Sequence, residues 1–159
     1  MKVLILGVGN LLLTDEGIGV HTVNALLRDY DIPKDVEVVD GGTSGMELLT
    51  LIAEADHLIL LDAAKTGQPP GSMIRLDDDE VPAFFRTKIS PHQVGLSDVL
   101  AAAQLTGEQP NHVTFFGVEP KSMALGMELT DKIAPQVIRL IELVIKELDK
   151  LGFKMESKL

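Results

Sequence analysis

A three-layer α/β fold around a five-stranded mixed sheet is predicted from three features of the sequence. Short apolar runs alternate with amphipathic helical stretches, a glycine-rich turn follows the first run, and one later link is too short to hold a crossover helix. All 159 residues (1–159) are assigned to one domain, since that length supports a full hydrophobic core and no repeat or linker divides it.

The first strand is Val3–Gly9, apolar throughout as a strand buried on both faces should be. Asp15 to about Asp31 reads as a helix, with Val20, Val23, Ala25, Leu26 and Leu27 as its apolar stripe and Pro33 past its end. Val36–Asp40 is a short second strand, and Gly41–Gly45 a turn in which Thr43 or Ser44 is the N-cap of a helix over Met46–Ala55. His57–Ala63 is the third strand. The link Ala64–Gly71 contains Gly67, Pro69, Pro70 and Gly71, and parallel neighbours need a crossover of about a dozen residues. The fourth strand, Ser72–Leu76, is therefore expected to be antiparallel to strand three or placed at an edge. Asp77–Glu80 reads as a solvated turn capping a short helix, since the alternating ligands and central glycine of a calcium loop are missing. Phe84–Pro91 is expected to be loop, and Ser97 to cap a helix over Asp98–Leu105 that Gly107 ends. Val113–Val118 is the fifth strand and Lys121–Leu129 an irregular stretch. The last helix spans about Thr130–Leu151, its regular part starting close to Pro135, with Gly152 at C′ and a loose tail from Phe153.

Composition removes several function classes. Fourteen Lys and Arg stand against 24 Asp and Glu, a net charge of −10, so the clustered cations that neutralise phosphates are missing and nucleic acid is an unexpected partner. No cysteine is present, which excludes thiol nucleophiles, disulfides and thiolate metal sites. The N-terminal apolar run is interrupted by Gly7, Gly9 and Asn10, so it reads as a core strand rather than a signal peptide. No apolar stretch approaches the roughly 20 residues that span a bilayer. A cytoplasmic protein without membrane insertion is expected.

The turn after the first strand lies at the carboxyl edge of the sheet, where open α/β folds bind ligands. Its glycines suggest a dinucleotide site, but the spacing does not fit. Counting from Gly7, the third position is Gly9 and the sixth is Leu12 where a glycine is required, and Asp15-Glu16 would repel a phosphate. The loop presents a carboxylate instead. Glu16 follows strand one, Asp40 closes strand two and Asp62 closes strand three, so three acids gather at the predicted switch point. Taken singly, Glu16 favours a helix N-terminus, Asp40 caps a turn and Asp62 starts a loop; their convergence favours chemistry. Of four histidines, His21 falls inside a helix, His57 at the opposite end of strand three and His112 before strand five. His92 lies in a loop, Ser90–Gly95, that leads into a helix. Glu16, Asp62 and His92 together would offer two carboxylates and one imidazole to a divalent transition ion, with positions left open. Other hydrolase templates fail: Gly42–Met46 lacks the second glycine of a nucleophile elbow, there is no HExxH, and no serine has triad context.

These residues resemble the nickel–iron hydrogenase maturation endopeptidases, which trim the C-terminus of the hydrogenase large subunit. The resemblance covers nearly the whole chain and runs in order through GVGNLLLTDEGIGV, DGGTSGMELL, LLDAAKTGQPPGS, SPHQVGLSDVLAAAQLTG and FFGVEP. It implies a sheet order 2-1-3-5-4 with strand four antiparallel, in agreement with the Pro-Gly link. It implies that Glu16, Asp62 and His92 contact metal, and that Asp40 of the DGGT motif is a further functional acid. It also implies that the nickel is supplied by the large-subunit precursor, already bound to that protein's cysteines, rather than held permanently. The expected state is a monomer that meets this precursor transiently. Competing readings are a nickel-binding chaperone, a nucleotide-binding module, which Leu12 and the acids disfavour, and a metallo-aminopeptidase, for which too few ligands can be placed.

Overall fold

The computed structural model describes the main chain of residues 1–87 and 94–159. Its sheet contains β1 (Val3–Val8), β2 (Val36–Gly42), β3 (His57–Ala63), β4 (Met73–Asp77) and β5 (His112–Val118). The strands lie in the order β2-β1-β3-β5-β4. β1 is parallel to both β2 and β3, β3 is parallel to β5, and β4 closes the edge antiparallel to β5. The order and the single antiparallel strand agree with the expectation, and the cause is the link after β3. Gly71 donates its N–H to the Glu119 carbonyl at 2.8 Å and Ser72 accepts from the Glu119 N–H at 2.8 Å, so the chain returns as the edge strand against β5 rather than beside β3.

Alternation divides β1 between two cores. Val3 and Ile5 face a layer built by α1 (Ile18–Asp29) and α5 (Gln136–Lys150), with Ile18, Val23, Leu26, Leu140, Val144 and Leu148. Leu4, Leu6 and Val8 face α2 (Leu49–Glu54), α3 (Glu80–Thr87) and α4 (Val94–Thr106), through Ile52, Val81, Phe85, Val99 and Leu100. Every residue of β1 is buried. A fully buried side chain of this size contributes about 1.5–3 kcal/mol, so burial on both faces explains the unbroken apolar run.

Several boundaries differ from expectation. The stretch before α1 is a 3-10 turn, Thr14–Gly17, and the α-helix starts at Ile18; Gly19 in its first turn packs close to the sheet, where a Cβ would lie 2.1 Å from the Leu61 carbonyl oxygen. α1 ends at Asp29, and Tyr30–Asp31 pairs antiparallel with Glu156–Ser157. The tail is therefore tied to the body, with Lys158 donating its N–H to the Asp29 carbonyl at 2.9 Å. The expected loop from Phe84 is helical as far as Thr87, since α3 buries Phe85 edge-on against Phe115 at 5.2 Å between ring centroids; residues 88–91 of that prediction lie outside the described residues. Pro82 is tolerated because it falls in the first turn of α3. α4 begins at Val94, so Ser97 lies within it rather than capping it. α5 starts at Gln136, with Pro135 as its N-cap, and Gly152 follows it with φ +90°. Among the described residues, no helix is long and apolar enough to cross a membrane.

Candidate active site

β1 lies between β2 and β3, so the chain reverses its direction of travel across the sheet there, and the carboxyl ends of these strands frame the switch point. Gly7 is in register with Asp40 on one side and Leu61 on the other, and Asp62 is one residue further on, opposite Gly117 of β5. With strands about 4.8 Å apart, Asp40 and Asp62 flank the end of β1.

Gly9 joins the parts. Its φ of +131° and its surroundings both exclude a side chain, for a Cβ there would lie 2.0 Å from the Glu16 carbonyl oxygen and 3.4 Å from Asp62 Oδ1. The main chain at Glu16 and the carboxylate of Asp62 therefore both lie against Gly9. Both acids are 0% exposed. Asp62 Oδ1 accepts the Ala63 N–H at 2.7 Å. Asp40 is exposed, and its Oδ1 accepts the Gly42 N–H at 3.0 Å, the short turn that an aspartate makes at a strand end. Gly9 in turn donates its N–H to the Gly42 carbonyl at 2.9 Å, so the DGGT segment is fastened to the end of β1.

The histidines separate as their sequence positions suggest. His57 and His112 start β3 and β5 at the opposite edge, with ring centroids 5.8 Å apart. His57 Nε2 is 3.0 Å from Thr114 Oγ1, and burial holds its imidazole below the usual histidine range. His21 lies in the first turn of α1, where burial likewise lowers it, so near neutral pH it is an uncharged ring. His92 lies outside the described residues. Among the described residues, no group of three His, Cys, Asp or Glu has an arrangement that holds a metal ion.

Two acids that the sequence analysis left without a role shape this edge. Asp15, also 0% exposed, accepts N–H bonds from Lys121 and Ser122 on Oδ2, each at 3.0 Å, and from Thr130 on Oδ1 at 2.8 Å. The Thr130 hydroxyl adds a further bond to Oδ2 at 2.8 Å. A single carboxylate thus fastens the irregular loop after β5 onto the turn that carries Glu16. Glu119 is 5% exposed and does the same for the loop after β3: its Oε1 accepts from Thr66 N at 2.8 Å, Thr66 Oγ1 at 2.7 Å and Gln68 N at 3.2 Å. A signal for Glu119 was present, since it follows a strand's carboxyl end as Asp40 and Asp62 do. For Asp15 there was none, because its partners lie more than 100 residues away.

This chain matches a family model described as HycI, hydrogenase maturation protease, over residues 20–147. It is 49% identical over 153 residues to the hydrogenase 2 maturation protease of Escherichia coli (strain K12), an alignment covering 96% of this chain and 93% of that one. The chain belongs to the hydrogenase maturation protease family. It is also 40% identical over 153 residues to the hydrogenase expression/formation protein HupD of Thiocapsa roseopersicina, covering 95% of this chain and 69% of that protein. Among solved structures, the hydrogenase maturating endopeptidase HybD from E. coli superposes with a TM-score of 0.95 at 47% identity, over 99% of this chain and 98% of that one. The [NiFe] hydrogenase maturation protease HybD from Thermococcus kodakarensis does so with a TM-score of 0.73 at 27% identity, over 92% and 98%. This maturation protease is accordingly a peptidase, and its fold is the one its relatives share.

Proposed function

We propose that this chain is the endopeptidase that removes the C-terminal extension of a nickel-loaded [NiFe] hydrogenase large-subunit precursor, recognising the nickel through Glu16, Asp62 and His92. The observation that carries this reading is the packing of the Glu16 main chain and the Asp62 carboxylate against Gly9 at the switch point of the sheet, with both residues 0% exposed. Both residues stand at the carboxyl edge of the sheet, where open α/β folds bind ligands. The nickel belongs to the substrate. Bound by the precursor's thiolates with positions open, it accepts carboxylate and imidazole ligands, whereas an empty precursor offers nothing to grip. Docking and processing are thereby coupled.

Cleavage is hydrolysis. A water oxygen bonds to the scissile carbonyl carbon, the C–N bond breaks, and the proton released by the water goes to the leaving amine. Asp40, exposed at the same edge, orients that water and takes its proton in transit. Asp40→Asn is expected to slow cleavage by about a hundredfold without unfolding the chain, since an asparagine Oδ1 still accepts the Gly42 N–H. Unaltered processing by this variant removes Asp40 from the mechanism.

The deciding experiment incubates the protein with purified precursor, loaded with nickel or free of it, and reads the precursor's C-terminus by mass spectrometry. The loaded precursor is expected to lose its extension and the nickel-free one to stay intact. Complete cleavage of the nickel-free precursor overturns nickel recognition. A stoichiometric nickel complex with no shortening points to a chaperone instead.

A further inference from the structure

We propose that an apolar rim formed by Leu12, Leu125 and Met127 is the surface on which the client polypeptide seats before it is cut, an inference that rests on the endopeptidase reading above. These side chains are 55%, 86% and 68% exposed. They do not lie on wandering loops. Thr14 donates its N–H to the Gly126 carbonyl at 2.8 Å, and Gly126 returns its own to Leu12 at 2.9 Å. The Thr14 hydroxyl donates to the carbonyls of Ser122 and Ala124 at 2.7 and 3.0 Å. Thr14 itself holds φ +47°, a conformation that a β-branched residue adopts only under constraint. At Gly126 a Cβ would lie 2.8 Å from Thr14 Cγ2, so the two segments meet at a spacing that only glycine allows. Asp15 completes the clamp from beneath. A rigid backbone thus holds three large apolar side chains in water, a costly arrangement that marks an interaction surface.

The occupant follows from continuity with the candidate active site. Leu12 and Glu16 stand on one turn, whose Glu16 N–H is donated to the Leu13 carbonyl at 3.1 Å, and Asp15 joins that turn to the loop bearing Leu125 and Met127. A polypeptide brought to Glu16 and Asp62 therefore passes beside the rim. The client's contribution is an apolar patch next to its metal centre, and seating it there fixes the distance from the ion to the carboxylates.

The test uses the full chain carrying Leu125→Ser and Met127→Ser together. Leu105→Ser serves as control, since Leu105 is 88% exposed near the end of α4, at the opposite edge of the sheet. With nickel-loaded precursor, the double variant is expected to raise KM about tenfold while kcat stays within about twofold. Its Tm and the control's kinetics should stay unchanged. Calorimetric binding of the same precursor should weaken by the same factor, and this readout does not need cleavage. Weakened binding with no cleavage by the wild type retains the docking surface and removes the endopeptidase reading. An unchanged KM and affinity, a loss confined to kcat, a fall in Tm, or a wild-type dimer that the double variant dissociates would each overturn the proposal.

Discussion

Asp15→Ala is expected to lower the free energy of unfolding by about 3–5 kcal/mol, and the Tm by about 10 °C. The carboxylate is fully buried, and it is held by the N–H groups of Lys121, Ser122 and Thr130 and by the Thr130 hydroxyl. Removing it leaves three backbone donors inside the protein without an acceptor, and each such donor costs about 1–3 kcal/mol unless water reaches it. Asp15→Asn should lose nearly as much. Both oxygens are acceptors here, so the amide nitrogen of an asparagine must face either the Lys121 and Ser122 donors or the Thr130 donor. Thr130→Val, which keeps its N–H bond and deletes the hydroxyl, should cost about 1 kcal/mol. Urea unfolding of the three variants checks the series. A loss below about 1 kcal/mol for Asp15→Ala would show that the carboxylate is dispensable to the clamp.

The contrast between Asp15 and Glu16 shows what the sequence made legible. The strands were readable because each is a short apolar run, and β3 was placed at His57–Ala63 with its observed limits. The edge position of β4 was readable because Pro69 and Pro70 leave no room for a crossover, while the full strand order came only with the family resemblance. Asp40 and Asp62 were found by a positional rule, an acid closing a strand at the edge where ligands bind. What could not be read depends on distant pairs. Asp15 works through Thr130, and the two-residue ribbon depends on Tyr30 meeting Ser157. Neither the span of that chain separation nor the direction of a backbone N–H is encoded in local pattern. α3 was half missed for a related reason: Phe84 and Phe85 look like loop residues after a proline until Phe115 of β5 is available for them to pack against.

Asp62→Asn is expected to reduce precursor processing by about a hundredfold or more while leaving Tm within about 2 °C. The substitution preserves shape, and an asparagine Oδ1 can still accept the Ala63 N–H that Asp62 accepts at 2.7 Å. It removes the negative charge, which is what a cationic metal centre on the client would meet. Glu16→Gln should behave alike, for the same reason and at the same edge. The stronger test is their combination. If both carboxylates grip one ion, the first substitution already forfeits most of the grip, and the double variant should be little worse than either single one. If the two losses multiply, the acids act independently and a shared contact is excluded. Processing measured on nickel-loaded precursor, with Tm read beside it, separates these outcomes from unfolding.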